Sequence, residues 1–178
     1  VSRAHKLPDV LAPGLEIVFV GTAAGARSAA EGVYYAHPGN KFWRTLKKLK
    51  LLPEDFAPGD FAHAPKHGIG FTDMCKVRAG SDAEIGNDAF DRPRFARAVR
   101  RARPRAIAFT SKKAASVWLG RPTARIAYGR QEGEDPAVFV LPSPSGMAGG
   151  YWDEGPWAEL ATWLRRPRRP SRTGRSPG

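Results

Sequence analysis

The sequence predicts an α/β domain, a three-layer sandwich in which a central, mostly parallel four-stranded sheet is flanked by helices. Short apolar runs of strand length alternate along the chain with longer stretches of helical period, the pattern of strand–helix–strand units. The 178 residues also suit one domain of ordinary size, which buries about two-thirds of its unfolded surface and needs no disulfides.

Each element has its own signal. EIVFV (16–20) is apolar and stops at Gly21, as a buried strand does. Asn40 can cap a helix reaching about Lys50; Phe42, Trp43, Leu46 and Leu49 share one face, and Lys41, Arg44, Lys47 and Lys48 mostly take the other. GIGFT (68–72) reads as the second strand. Asp91 and Pro93 open a helix that buries Phe95, Val99 and Ala102 and leaves Arg94, Arg97, Arg100 and Arg101 in water. AIAFT (106–110) is the third strand, and Ser111 caps the helix carrying Val117, Trp118 and Leu119. AVFVL (137–141) is the fourth, and Pro156 starts a last helix with Trp157, Leu160 and Leu164 at helical spacing. Ligands of such sheets bind beyond the carboxyl ends of the strands. That rule points to Gly21–Gly25, Thr72–Cys75, the loop near Thr110 and Pro142–Gly146.

Charge narrows the class of partner. Lys and Arg total 29 against 17 Asp and Glu, a net +12, which favours a polyanion, nucleic acid before membrane. Half of that excess comes from the six Arg of residues 165–178, expected to be a disordered basic tail behind a domain of residues 1–164. A single cysteine, Cys75, excludes an internal disulfide framework and a multi-cysteine metal centre. No apolar run is long enough to span a membrane and no leader peptide is evident, so a monomer in a reduced, cytoplasmic compartment is expected, with no membrane partner. His5, His37, His63 and His67 are scattered, and neither a metal nor a cofactor is expected.

Four segments carry chemistry. GTAAGARS (21–28) follows a strand but matches neither the dinucleotide nor the P-loop fingerprint, and by itself is a plain turn. YYAHPGNKFW (34–43) sets two Tyr before a Pro-Gly loop and a basic helix: either core aromatics with a loop histidine, or a stacking platform with Lys41 facing phosphate. In HGIGFTDMCKV (67–77), Asp73 ends a buried strand, where an acid either caps a turn, reads a base edge or does acid–base chemistry. LPSPSGMAGGY (141–151) offers two serine hydroxyls in a Pro-flanked loop fit for a phosphodiester, with Met147 as either an apolar wedge or a buried side chain.

In this order, the four segments resemble the uracil-DNA glycosylase superfamily, closest to its mismatch-specific uracil/thymine branch. GTAAGARSAAEGVYYAHPGNKFW is similar to that branch's G-I-N-P-G loop, spaced aromatic and N-[RKH]-F-W; GIGFTDM resembles GIGFTNM, and LPSPSG resembles L-P-N-P-S-G. The resemblance spans about residues 15–164. It implies a DNA repair enzyme that flips uracil from DNA, hydrolyses its bond to deoxyribose and leaves an abasic site. It further implies that Gly21, Thr22, Ala23 and Gly25 wall the base pocket, that Tyr35 stacks under uracil, that Asn40 edges the pocket and that Asp73 reads N3–H and O4. Lys41, Ser143, Pro144, Ser145 and Gly146 would hold DNA, with Met147 as the wedge.

Two departures matter. The water-positioning asparagine of that branch is Ala23 here, and the histidine other branches place before P-S-P is Leu141. A substitute carboxylate is therefore expected from Asp73 or Asp82, with Glu31 a more distant choice. The alternatives are an inactive DNA-binding relative that recognises damaged or abasic sites, and a glycosylase for another deaminated base such as hypoxanthine.

Overall fold

The computed structural model describes residues 4–168. It contains a five-stranded sheet in the order β2-β1-β3-β5-β4, where β1 is Ile17–Ala24, β2 Ile69–Ala79, β3 Ala106–Phe109, β4 Gly129–Gln131 and β5 Ala137–Val140. The pairs β1–β2, β1–β3 and β3–β5 are parallel; β4 joins β5 antiparallel at the edge. The sheet thus has one strand more than the four expected. Gly129–Gln131 has only three residues and one of its side chains faces solvent, so it lacks the apolar run that marks the other strands.

Helices α1 (Ala26–Glu31), α2 (Phe42–Lys48), α3 (Arg92–Ala102) and α4 (Lys112–Leu119) lie between the strands, and α5 (Gly155–Leu164) follows the last of them. The caps read from the sequence are made: Asp91 accepts from the Arg94 amide at 2.9 Å, and Ser111 from that of Ala114 at 3.1 Å. Asn40 Oδ1 accepts from the Phe42 amide at 2.9 Å, but α2 stops at Lys48, and Lys50 sits at φ 59°.

Parallel register puts paired side chains on the same face. Ile17, Phe19, Ile69, Phe71, Ala106, Ala108 and Phe139 meet Phe42, Trp43 and Leu46 of α2 and Trp157 and Leu160 of α5. Val18, Val20, Ile107, Phe109, Val138 and Val140 meet Phe95 and Val99 of α3 and Ala114 and Ala115 of α4. Phe19 is central to the first layer, edge-on to Phe42 at 5.1 Å and stacked on Trp157 at 5.9 Å. Cutting it to Ala would cost about 3–5 kcal/mol.

Of the basic tail, residues 169–178 lie outside the described residues. Before them, Arg165 donates to the Leu49 carbonyl, and Arg168 bonds Glu16 and the Gly14 and Leu15 carbonyls.

Candidate functional site

Along β1 the face covered by α2 and α5 runs Ile17, Phe19, Gly21, and the register places Asp73 of β2 beside Gly21. On the other side Thr110 follows β3, its amide bonded to the Val20 carbonyl at 3.0 Å. Asp73, Gly21 and Thr110 therefore form a row across three neighbouring parallel strands near their carboxyl ends, the side that sheet topology favours for a ligand. β3 stops there, while β1 and β2 run on to Ala24 and Ala79, beyond the ends at Gly21 and Thr72 that the apolar runs predict. Gly21 leaves this row bare. A Cβ built there would lie 2.5 Å from Asp73 Oδ1 and 3.9 Å from Tyr35 Oη, so carboxyl and phenol converge over backbone that carries no side chain.

Tyr35 is held firmly. It has φ 51°, a left-handed conformation that costs a non-glycine residue about 1–3 kcal/mol. Its ring stacks on Phe42 at 3.8 Å and 13°, its hydroxyl lies 3.3 Å from Thr110 Oγ1, and the Trp43 indole donates to the neighbouring Tyr34 carbonyl at 2.9 Å. Burial above all, then the charges of Asp73 and Asp82, push its phenol up against the opposing Thr110 bond, so at neutral pH it keeps its proton.

Asp73 is 4% exposed. Among the described residues no donor lies within hydrogen-bond reach of its carboxylate, and the Lys76 ammonium is 3.8 Å away. Lys76 is itself buried and closer to Asp9 Oδ1 and the Tyr34 hydroxyl, both at 3.0 Å. Asp9 also accepts from Thr72 at 2.6 Å and from Arg94 at 2.9 Å, while Arg94 donates to the Asp73 carbonyl at 2.6 Å. The outcome differs for the two acids. Asp9 falls below the ordinary aspartate value, because Lys76, the Thr72 bond and Arg94 together outweigh burial. Asp73 rises to about 6, because burial outweighs its share of Lys76 and Asp9 adds repulsion.

Above this row lies the loop after β2. The register slips between Ala23 and Ala24, so Ala24 pairs with Ala79, and Gly80 donates to the Ala24 carbonyl at 2.9 Å. The loop is thereby tied to β1 beside Ala23, whose side chain carries no polar atom. Lys113 of α4 pins it from the other side by donating to the Asp82 and Ile85 carbonyls. The Asp82 side chain is exposed, and its charge reaches the Tyr35 phenol.

The segment after β5 closes the site. Lys41 donates its amide to the Pro144 carbonyl at 2.8 Å, and Trp157 its indole N–H to the Pro142 carbonyl at 3.1 Å. Gly146 presses on Gly39 so closely that a Cβ would sit 3.2 Å from the Gly39 carbonyl oxygen. Ser143 and Ser145 accept from the Ser145 and Met147 amides at 3.3 Å, which leaves each hydroxyl its own hydrogen to donate. Met147 is 95% exposed, so it is no core residue, and Tyr151 in the same turn is 82% exposed.

The structure thus gathers Gly21, Tyr35 and Asp73 at one spot, with Asp82 above and Asn40, Lys41 and residues 143–147 in the adjoining loops. Thr22 faces away from that spot, and Gly25 touches none of its side chains. Thr22 Oγ1 is 2.8 Å from Ser111 Oγ at the start of α4, and a Cβ on Gly25 would meet nothing. Asn40 spends its oxygen on α2, His37 accepts from the Gly39 amide at 3.0 Å, and Glu31 pairs with Arg27 at 2.6 Å. Leu141 is wholly buried core. Sequence reasoning missed Asp9, Lys76 and Tyr151, and read Tyr34 only as one of two aromatics before the loop. Arg94, expected in water, is instead half-buried because its guanidinium pairs with Asp9 and bonds the Asp73 carbonyl. The one available signal for the cluster was Lys76, a charge interrupting the apolar run MCKV.

Comparison with known proteins agrees with this architecture. The family model described as the uracil DNA glycosylase superfamily matches residues 8–165. A G/U mismatch-specific uracil DNA glycosylase of Schizosaccharomyces pombe is 32% identical over 162 residues; the match takes in 83% of this chain and 49% of that protein, so the chain spans about half its relative's length. A solution NMR structure of a protein from Methanosarcina acetivorans, proposed to be a uracil DNA glycosylase, shares the fold with a TM-score of 0.61 at 24% identity, over 92% of this chain and 96% of that one. On its sequence match, this chain belongs to the uracil DNA glycosylase superfamily.

Proposed function

We propose that the chain is a monofunctional DNA glycosylase that turns uracil out of the duplex and hydrolyses its N-glycosidic bond, releasing free uracil and leaving an abasic site. The observation that carries this reading is the convergence of the Asp73 carboxyl and the Tyr35 phenol over bare Gly21. A planar base entering there meets polar groups for its edge and backbone in place of a side chain. Met147, exposed beside two serine hydroxyls, suits the role of filling the vacated stack while the flanking phosphates are held. Extrusion costs a few kcal/mol, which stacking, the wedge and the phosphate contacts offset.

Breaking the bond places positive charge on the sugar and negative charge on the leaving base. In this reading the Asp82 carboxylate stabilises the sugar cation and orients water, taking over from the side chain that Ala23 lacks. Asp73 is left to face the base edge. Backbone amides after Gly21 and the Tyr35 hydroxyl can then stabilise the anionic base in a dry site.

Hypoxanthine is the second reading, because its N1–H and O6 present the same donor–acceptor pair to Asp73 as the N3–H and O4 of uracil. The test is a panel of duplex oligonucleotides carrying uracil, hypoxanthine or thymine opposite guanine, with free base measured by mass spectrometry. Uracil should be released fastest. Hypoxanthine released faster would replace the substrate assignment, and tight binding with no base released would make the chain a recognition module.

A further inference from the structure

We infer that Asp73 recognises its base as a neutral carboxyl group, so that uracil binding takes up a proton, and that Lys76 is the positioning residue that controls this uptake. The inference deepens the uracil reading above and rests on it. A uracil edge sets a donor, N3–H, beside an acceptor, O4. A protonated carboxyl group complements both, its carbonyl accepting and its hydroxyl donating, whereas a carboxylate has only acceptors and meets O4 with like charge. Among the described residues no hydrogen bond reaches the Asp73 carboxylate, which is almost wholly buried, so both of its oxygens are left for the base edge. An amide would carry both functions at any pH. A carboxyl group carries them only with its proton.

The groups around Asp73 set how readily that proton is held. Lys76 lies on its own strand, Asp9 comes from the segment before β1, Arg94 from α3, and Tyr34 and Tyr35 from the loop before α2. Gly21 of β1 and Thr110 after β3 are uncharged. Lys76 would hold Asp73 ionised if it were undivided, but its nearer partners are Asp9 and Tyr34. Arg94 likewise gives its guanidinium to Asp9 Oδ2 and to a backbone carbonyl. Two acids that share one lysine are driven apart in this way, one kept charged and the other poised to gain a proton, the pattern that separates roles in paired carboxyl sites.

The test follows uracil affinity against pH from about 5.5 to 8, as KM for a uracil oligonucleotide and as calorimetric binding of free uracil in buffers of different ionisation enthalpy. For the native chain, affinity should fall by up to about tenfold per pH unit above the break, with about one proton taken up per uracil bound on that limb. Asp73→Asn should be flat and bind more tightly than the native chain at pH 8. Lys76→Met should move the break to higher pH, which a merely structural lysine would not do; if that variant fails to fold, Asp73→Asn decides alone. A native affinity independent of pH, or an Asp73→Asn variant that keeps the native break, overturns the proposal and leaves the glycosylase reading standing. Proton-linked binding of free uracil with no excision at any pH supports the proposal and defeats that reading.

Discussion

Gly21→Ala is the sharpest perturbation of the site. The added Cβ would sit 2.5 Å from Asp73 Oδ1, where a carbon–oxygen contact ordinarily needs about 3.3–3.6 Å, so the carboxyl must retreat by about 1 Å. A misplacement of that size costs on the order of 10²-fold in rate, about 2.7 kcal/mol of transition-state stabilisation. The backbone itself tolerates alanine, because Gly21 is not among the glycines with positive φ. Single-turnover excision at saturating enzyme should therefore fall about a hundredfold while thermal unfolding changes little. Gly59→Ala, where a Cβ meets nothing, serves as the control. Native rates in a well-folded Gly21→Ala variant would refute the reasoning, since the base would then have to lie somewhere other than over Gly21.

Two further outcomes follow from charge and from the wedge loop. DNA affinity should fall steeply with salt, and removing residues 169–178, with three of the chain's Arg, should flatten the log–log slope by up to about 2.7 without changing the saturated rate; a large loss of that rate would contradict a purely non-specific tail. Excision should depend only weakly on the base opposite uracil, because Ala148, Gly149 and Gly150 after Met147 bring no side-chain donor, and the modest G·U advantage comes from easier extrusion of a mispair. Comparing A·U, G·U and single-stranded substrates checks this. A strong G·U preference would contradict it and direct attention to the phenol of Tyr151, the next exposed side chain in that turn.

The elements most legible in the sequence were those whose signals are local. Asp91 and Ser111 are caps with side-chain oxygens three residues before the amides they accept from, and the apolar runs at 16–20, 106–110 and 137–141 each lie on a strand. Gly129–Gln131 escaped because an edge strand of three residues has no periodicity to read. The site was legible to the same degree. Asp73 and Gly21 stood out because an apolar run stops at each, although the strands themselves run on to Ala79 and Ala24, and Met147 because it follows a Pro-flanked serine loop. The cluster of Asp9, Tyr34, Lys76 and Arg94 was not, because it joins four segments up to 85 positions apart through contacts that only the folded chain creates. Thr22 shows the converse. It neighbours Gly21 in sequence, yet strand alternation turns it to the opposite face, where it meets Ser111.

Excision of uracil with a carboxylate standing in for the side chain Ala23 lacks is the proposal on which the rest depends. The direct measurement is single-turnover release of free uracil from a uracil-containing oligonucleotide by the native chain and by Asp82→Asn. Release by the native chain is expected, with a rate about 10²–10⁴-fold lower for Asp82→Asn and oligonucleotide binding retained. Equal rates for the two proteins would contradict the role given to Asp82, and an oligonucleotide bound but never cleaved by the native chain would contradict excision itself.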